Sequence, residues 1–150
     1  KKIFLILIIL FLNGCGYTPL YSSKDSNYKV ISLNKNVNNS LTNYVQNSIE
    51  VISNENAEKS LNISFEYNEN ISVILKNSKG DPTKNRLNVV IDLSLLDSND
   101  NLITSKQFSE SFEYNIDDNK FNLKQYEKNI KLNLVNEIIQ QILVFLAEVK

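Results

Sequence analysis

Three segments in the middle of this chain alternate apolar and polar residues with a period of two, which commits much of the sequence to a sheet with one dry face. Leu61, Ile63, Phe65 and Tyr67 alternate with Asn62, Ser64 and Glu66, the pattern of a half-buried strand. Ile71, Val73 and Leu75 resume the beat after a polar interruption at residues 68–70, which reads either as a bulge in one long strand or as a turn between two. Leu87, Val89, Ile91, Leu93 and Leu95 repeat the pattern, thickened by Val90 and Leu96. The run Asp97-Ser98-Asn99-Asp100-Asn101 is dense in turn formers. From Leu102 a further strand runs through Phe108, Phe112 and Tyr114, so a hairpin joins residues 87–97 to 102–114. Residues 77–85 carry Gly80, Asp81 and Pro82 and read as a loop.

Helical periods flank this meander. Residues 28–33 predict a short first strand, with Tyr28, Val30 and Ser32 on one side and Lys29, Ile31 and Leu33 on the other. Asn38, Asn39 and Ser40 then offer N-cap side chains. Behind them Leu41, Tyr44, Val45, Ile49 and Ile52 recur at helical spacing, predicting a helix over about 40–53. Asp117, Asp118 and Asn119 precede a second helical segment, about 122–149, striped by Leu123, Tyr126, Ile130, Leu134, Ile138, Ile142, Phe145 and Val149. Val135, Ile139, Leu143 and Leu146 widen that stripe. A helix of roughly 27 residues spans about 40 Å, longer than so small a domain requires, so its C-terminal end either covers the sheet or meets a partner. The order β-α-β-β-β-α predicts an α+β fold: two amphipathic helices packed on one face of a four-stranded, mostly antiparallel sheet.

The N-terminus has a different character. Lys1 and Lys2 precede an unbroken apolar run of ten residues, Ile3 to Leu12. A membrane-spanning helix needs about 20 such residues; the length and positive flank instead match the apolar region of a signal peptide. Leu12-Asn13-Gly14-Cys15 then has the form of a bacterial lipoprotein cleavage and lipidation box. The alternative is an uncleaved anchor with an incidental cysteine. Cleavage before Cys15 would divide the chain into a signal peptide (1–14), an acylated tether (15–27) and a single domain (28–150). It leaves 136 residues and moves the formal charge from −1 to −3, with 14 basic against 17 acidic residues. Cys15 is the only cysteine, which excludes an internal disulfide. With no histidine in the chain to activate the thiol, a lipid attachment point carrying diacylglycerol and an N-acyl chain is the reading that fits. Gly16, where an Asp would signal inner-membrane retention, favours the outer membrane.

Composition argues against catalysis. The chain has no His, Met or Trp, so no His or Cys metal site can form, and no cofactor is expected. Asp97 and Asp100 lack the Gly and closing Glu of a calcium loop and read as a hairpin turn. Ser32-Leu33-Asn34-Lys35 matches a Ser-x-x-Lys pattern, but at a strand end and with no supporting motif. Nucleic-acid binding is disfavoured by the acidic balance and the absence of a basic stripe interleaved with aromatics. One charged feature stands out: Lys76, Lys79, Lys84 and Arg86 bracket the loop around Gly80, opposed in sequence by Asp81 alone. Such a loop can meet phosphates, those of lipid A included, or be an ordinary solvated loop.

The run Cys15-Gly16-Tyr17-Thr18-Pro19-Leu20-Tyr21 resembles the start of the mature chain in the LPS-assembly lipoprotein LptE family, where Cys-Gly-(aromatic)-x-Pro-Leu-Tyr is common. The likeness covers seven residues; beyond them only the architecture corresponds, two helices on a small sheet. An Arg-rich central strand expected in that family is replaced by Lys- and Asn-rich sequence. The resemblance implies a non-enzymatic lipoprotein that complexes with and plugs an LptD-type outer-membrane β-barrel, supports its assembly and helps deliver lipopolysaccharide to the outer leaflet. The competing expectation is a generic outer-membrane lipoprotein with a structural or ligand-binding role.

Overall fold

The computed structural model describes residues 28–149; the expected signal peptide (1–14), the expected lipidation site Cys15 and the expected tether (15–27) lie outside them. The elements are β1 (Tyr28–Lys35), α1 (Ser40–Glu50), β2 (Lys59–Lys76), β3 (Pro82–Leu96), β4 (Leu102–Asn115) and α2 (Lys120–Glu148). The strands form one sheet in the order β1-β2-β3-β4, with β1 parallel to β2 and the remaining pairs antiparallel. The expected α+β order is thus the observed one.

The polar interruption in β2 is neither bulge nor turn. Asn68, Glu69 and Asn70 stay in register against Val90, Val89 and Asn88, and the register first shifts between Val73 and Leu75. The expected loop over 77–85 is shorter than anticipated, because β3 already begins at Pro82. The two hairpins close by one hydrogen-bond scheme. The Asn77 Oδ1 accepts from the N–H of Lys79 and Asp81, as the Asp97 Oδ1 accepts from the N–H of Asn99 and Asn101. The fourth residue of each turn is left-handed: Gly80 at φ 88° and Asp100 at φ 63°. Gly fills such a position without a Cβ penalty, and Asp tolerates it.

Helix α1 starts on a capping box: Asn39 Oδ1 accepts from Thr42 N–H at 2.9 Å and Thr42 Oγ1 accepts from Asn39 N–H at 3.0 Å. The fully buried Thr42 hydroxyl also donates to the Val37 carbonyl at 2.8 Å, so nothing polar is stranded there. The helix ends at Glu50, short of the predicted 53, and buries Val45 and Ile49 while Tyr44 turns outward. In β1 a register shift between Val30 and Ser32 changes the expected sidedness. Tyr28, Val30 and Leu33 all pack inward, Ile31 is exposed, and Ser32 faces away, donating its hydroxyl to Asn62.

The core lies between the sheet and the helices. Leu61, Ile63, Phe65 and Tyr67 of β2 and all five alternating apolar residues of β3 are buried against Val45 and Ile49 of α1 and the stripe Ile130–Leu146 of α2. Burying each such side chain contributes about 1.5–3 kcal/mol. By length and composition α2 could cross a membrane, but its stripe is spent on this core. Of the two alternatives for its C-terminal end, cover of the sheet is the one observed: Ile138, Ile139, Ile142, Leu143 and Leu146 are buried, while Phe121 (77% exposed) and Tyr126 (47%) sit on an overhanging first part. Asn119 caps that end, accepting from the N–H of Phe121 and Asn122.

Candidate interaction surface

Among the described residues no helix covers the second face of the sheet, and the even-numbered residues of β2 and β3 line it. Ser64, Glu66, Asn68, Asn70 and Ser72 pair across to Ser94, Asp92, Val90, Asn88 and Arg86, and these in turn to Ser105, Gln107, Ser109, Ser111 and Glu113. Antiparallel sheets commonly carry one wet face; here it is built almost wholly from short polar side chains. Gln107 donates to Asp92 at 2.7 Å, and a shallow groove of about 390 Å³ runs between Ser64, Glu66, Asp92, Ser94, Ser105 and Gln107. The surface is rich in hydrogen-bonding groups, suited to a wet, polar partner.

The four predicted cations do not form one open cluster. Lys84 and Arg86 lie on this face, where Glu113 of β4 binds both, at 2.7 and 2.6 Å. Those contacts hold the Glu113 carboxyl below its ordinary range, Lys84 contributing most. Asp81 faces Asn77 rather than a lysine. The expectation that Asp81 alone opposes the loop is therefore corrected: the decisive counter-charge comes from β4, brought alongside by strand pairing. Lys76 and Lys79, at the hairpin tip, keep no ion pair among the described residues.

On the helix side, beyond the reach of α1, a polar clasp replaces apolar packing. Glu69 accepts from the Tyr67 hydroxyl at 2.6 Å and from Lys131 of α2 at 2.5 Å. Burial pushes the Glu69 carboxyl up, but the two hydrogen bonds outweigh it and the net shift is downward. Tyr67 is shifted up, by burial first and by Glu69 second. Tyr114 donates to Glu127 and packs edge-on against Tyr126 at 6.1 Å, with burial the main cause of a hydroxyl pKa pushed up to about 12. These contacts tie the overhang of α2 to β2 and β4. No local pattern signals them, because the partners lie 62 and 13 residues apart. Among the described residues no three His, Cys, Asp or Glu side chains gather as a metal site would require.

No protein family and no curated protein matches the sequence. Solved structures do match the fold. A minor lipoprotein from Acinetobacter baumannii superposes with TM-score 0.64 at 18% identity, over 81% of this chain and 92% of that one. Lipoprotein B from Nitrosomonas europaea gives 0.62 at 13%, covering 86% and 88%. The rare lipoprotein B from Shewanella oneidensis gives 0.55 at 10%, covering 76% and 92%. At these identities the likeness shows a shared fold.

Proposed function

We propose that this chain is an outer-membrane lipoprotein, acylated at Cys15, which complexes with and plugs an LptD-type β-barrel and so supports barrel assembly and lipopolysaccharide delivery. The observation that carries the reading is the pairing of the Cys15–Tyr21 run with a fold shared by three proteins named as lipoproteins. The bare sheet face supports it, since a polar surface rich in Ser and Asn side chains fits a water-filled lumen. The role is non-enzymatic and uses no cofactor beyond the covalent lipid. Of the four cations, Lys76 and Lys79 are left to meet lipopolysaccharide phosphates, because Glu113 occupies Lys84 and Arg86.

The test is affinity purification of the tagged lipoprotein from detergent-solubilised outer membrane, with stoichiometric partners identified by mass spectrometry. A one-to-one complex with an LptD-type barrel is the expected result. A clean monomer, with that barrel present in the same extract, overturns the plug role and leaves a lipoprotein of other purpose. Lipopolysaccharide binding unchanged in a Lys76→Ala, Lys79→Ala double variant removes those two lysines from the reading.

A further inference from the structure

The sheet has an unfinished edge. Strand β1 pairs with β2 only as far as Lys35 against Phe65, although β2 continues to Lys76. One residue further, the Asn36 side chain takes over as a surrogate strand. Its Oδ1 accepts from Tyr67 N–H at 2.9 Å and its Nδ2 donates to Tyr67 C=O at 3.3 Å. Tyr67 therefore directs both backbone groups outward, and with the period of two Glu69, Ile71 and Val73 do the same. Their outward backbone groups bond no other backbone or side chain among the described residues.

Side chains mark this edge as well. The last nine residues of β2 are all exposed, among them Ile71 (41%), Val73 (45%) and Leu75 (57%). Residues 70–75 contain no charge, whereas the free edge on the other side, β4, carries Lys106, Glu110 and Glu113. Charged residues are the usual protection of an edge strand against pairing; β4 has them along its length, whereas β2 has none between Glu69 and Lys76. At the end of the bare stretch stand two cations without ion pairs among the described residues, Lys76 and Lys79.

We infer that residues 69–75 of β2 are a strand-addition site for an extended segment of a partner protein, apolar at alternate positions and acidic at the end that meets Lys76 and Lys79. The free N–H and C=O groups specify an extended backbone, Ile71 and Val73 specify the alternation, and the two unpaired lysines specify the acidic end. The inference goes beyond the barrel assignment and does not rest on it.

A synthetic peptide, Asp-Asp-Val-Thr-Val-Thr-Val-Asp-Asp, tests it against the full chain in detergent micelles by amide-resolved hydrogen exchange. With nine-tenths of the protein bound, the amides of Glu69, Ile71 and Val73 slow about tenfold, while those of Asn70 and Ser72, already bonded to β3, do not change. Val73→Pro deletes an N–H that bonds nothing in the free protein, so it abolishes this protection without loosening the β2–β3 ladder. Ile71→Lys, a milder change at an exposed position, weakens peptide binding at least about tenfold if the site is this edge. Absent or uniform slowing, or protection that survives both variants, overturns the proposal. Protection of the same amides without peptide, rising with protein concentration, also overturns it, since the occupant is then a second copy.

Discussion

The two halves of β2 carry the same alternation and meet opposite fates. From Leu61 to Tyr67 the apolar residues vanish under α1 and α2; from Ile71 to Leu75 the same pattern stands about half exposed. The difference is cover. Helix α1 has 11 residues and β1 has 8, so both are exhausted by the middle of a strand of 18. A period of two tells which face of a strand is apolar, but what buries that face depends on the lengths of other elements.

The sharpest way to break this comparison is to truncate one residue in each half. Ile63→Ala, in a fully buried site, should cost about 2–5 kcal/mol. Ile71→Ala, identical in chemistry, should cost about 1 kcal/mol or less. Urea unfolding of the full chain followed by circular dichroism measures both, and equal costs would mean that the second half is covered after all. Next in size is Asn36→Ala, which removes the side chain marking the boundary. Losing two hydrogen bonds at a partly buried site should cost about 1–3 kcal/mol, and the Tyr67 amide should then exchange as fast as that of Ile71.

A smaller effect separates the clasp from the core by pH. The folded-state pKa of Glu69 is depressed, so its contribution is present above the ordinary Glu value and is lost as pH falls through the folded value. Between about pH 5 and pH 3 the wild type should therefore lose stability more steeply than Glu69→Gln, as compared by urea midpoints across that range. The smallest effect belongs to the open face. Glu113→Gln should barely move the urea midpoint, because its ion pairs are exposed. A larger loss in the same urea assay would mean that the bare face is organised by charge rather than by strand pairing.

Much of the fold was legible because local chemistry and global packing agree. Leu87 to Leu95 alternate and are buried, the turn at Asp97–Asn101 supplies its own Asx bonds, and the α2 stripe from Ile130 onward packs where its spacing points. Where reading failed, a long-range event intervened. The shift after Val30 answers to the register with β2, which sends Leu33 inward against expectation. Tyr126 and Phe112 keep the right period yet remain about half exposed, Phe112 although Leu87 opposite it and Tyr114 two residues on are buried. The cation cluster could be listed from sequence but not its neutralisation, since Glu113 is 27 residues from Arg86 and adjacent only once β3 and β4 have paired. Residue types and periods are local properties, whereas counter-charges and cover belong to the assembled sheet.

The parallel pairing of β1 with β2 also sets how the domain bears load. A pull applied at Tyr28, outward along the strand axis, acts against the whole length of β1. The bonds along the register from Tyr28–Lys59 to Lys35–Phe65 are then strained together, in shear, instead of opening one at a time like a zipper. A domain held from that end resists by the joint strength of its first strand, so traction at its leading residue distributes force into the middle of the sheet before any single bond gives way.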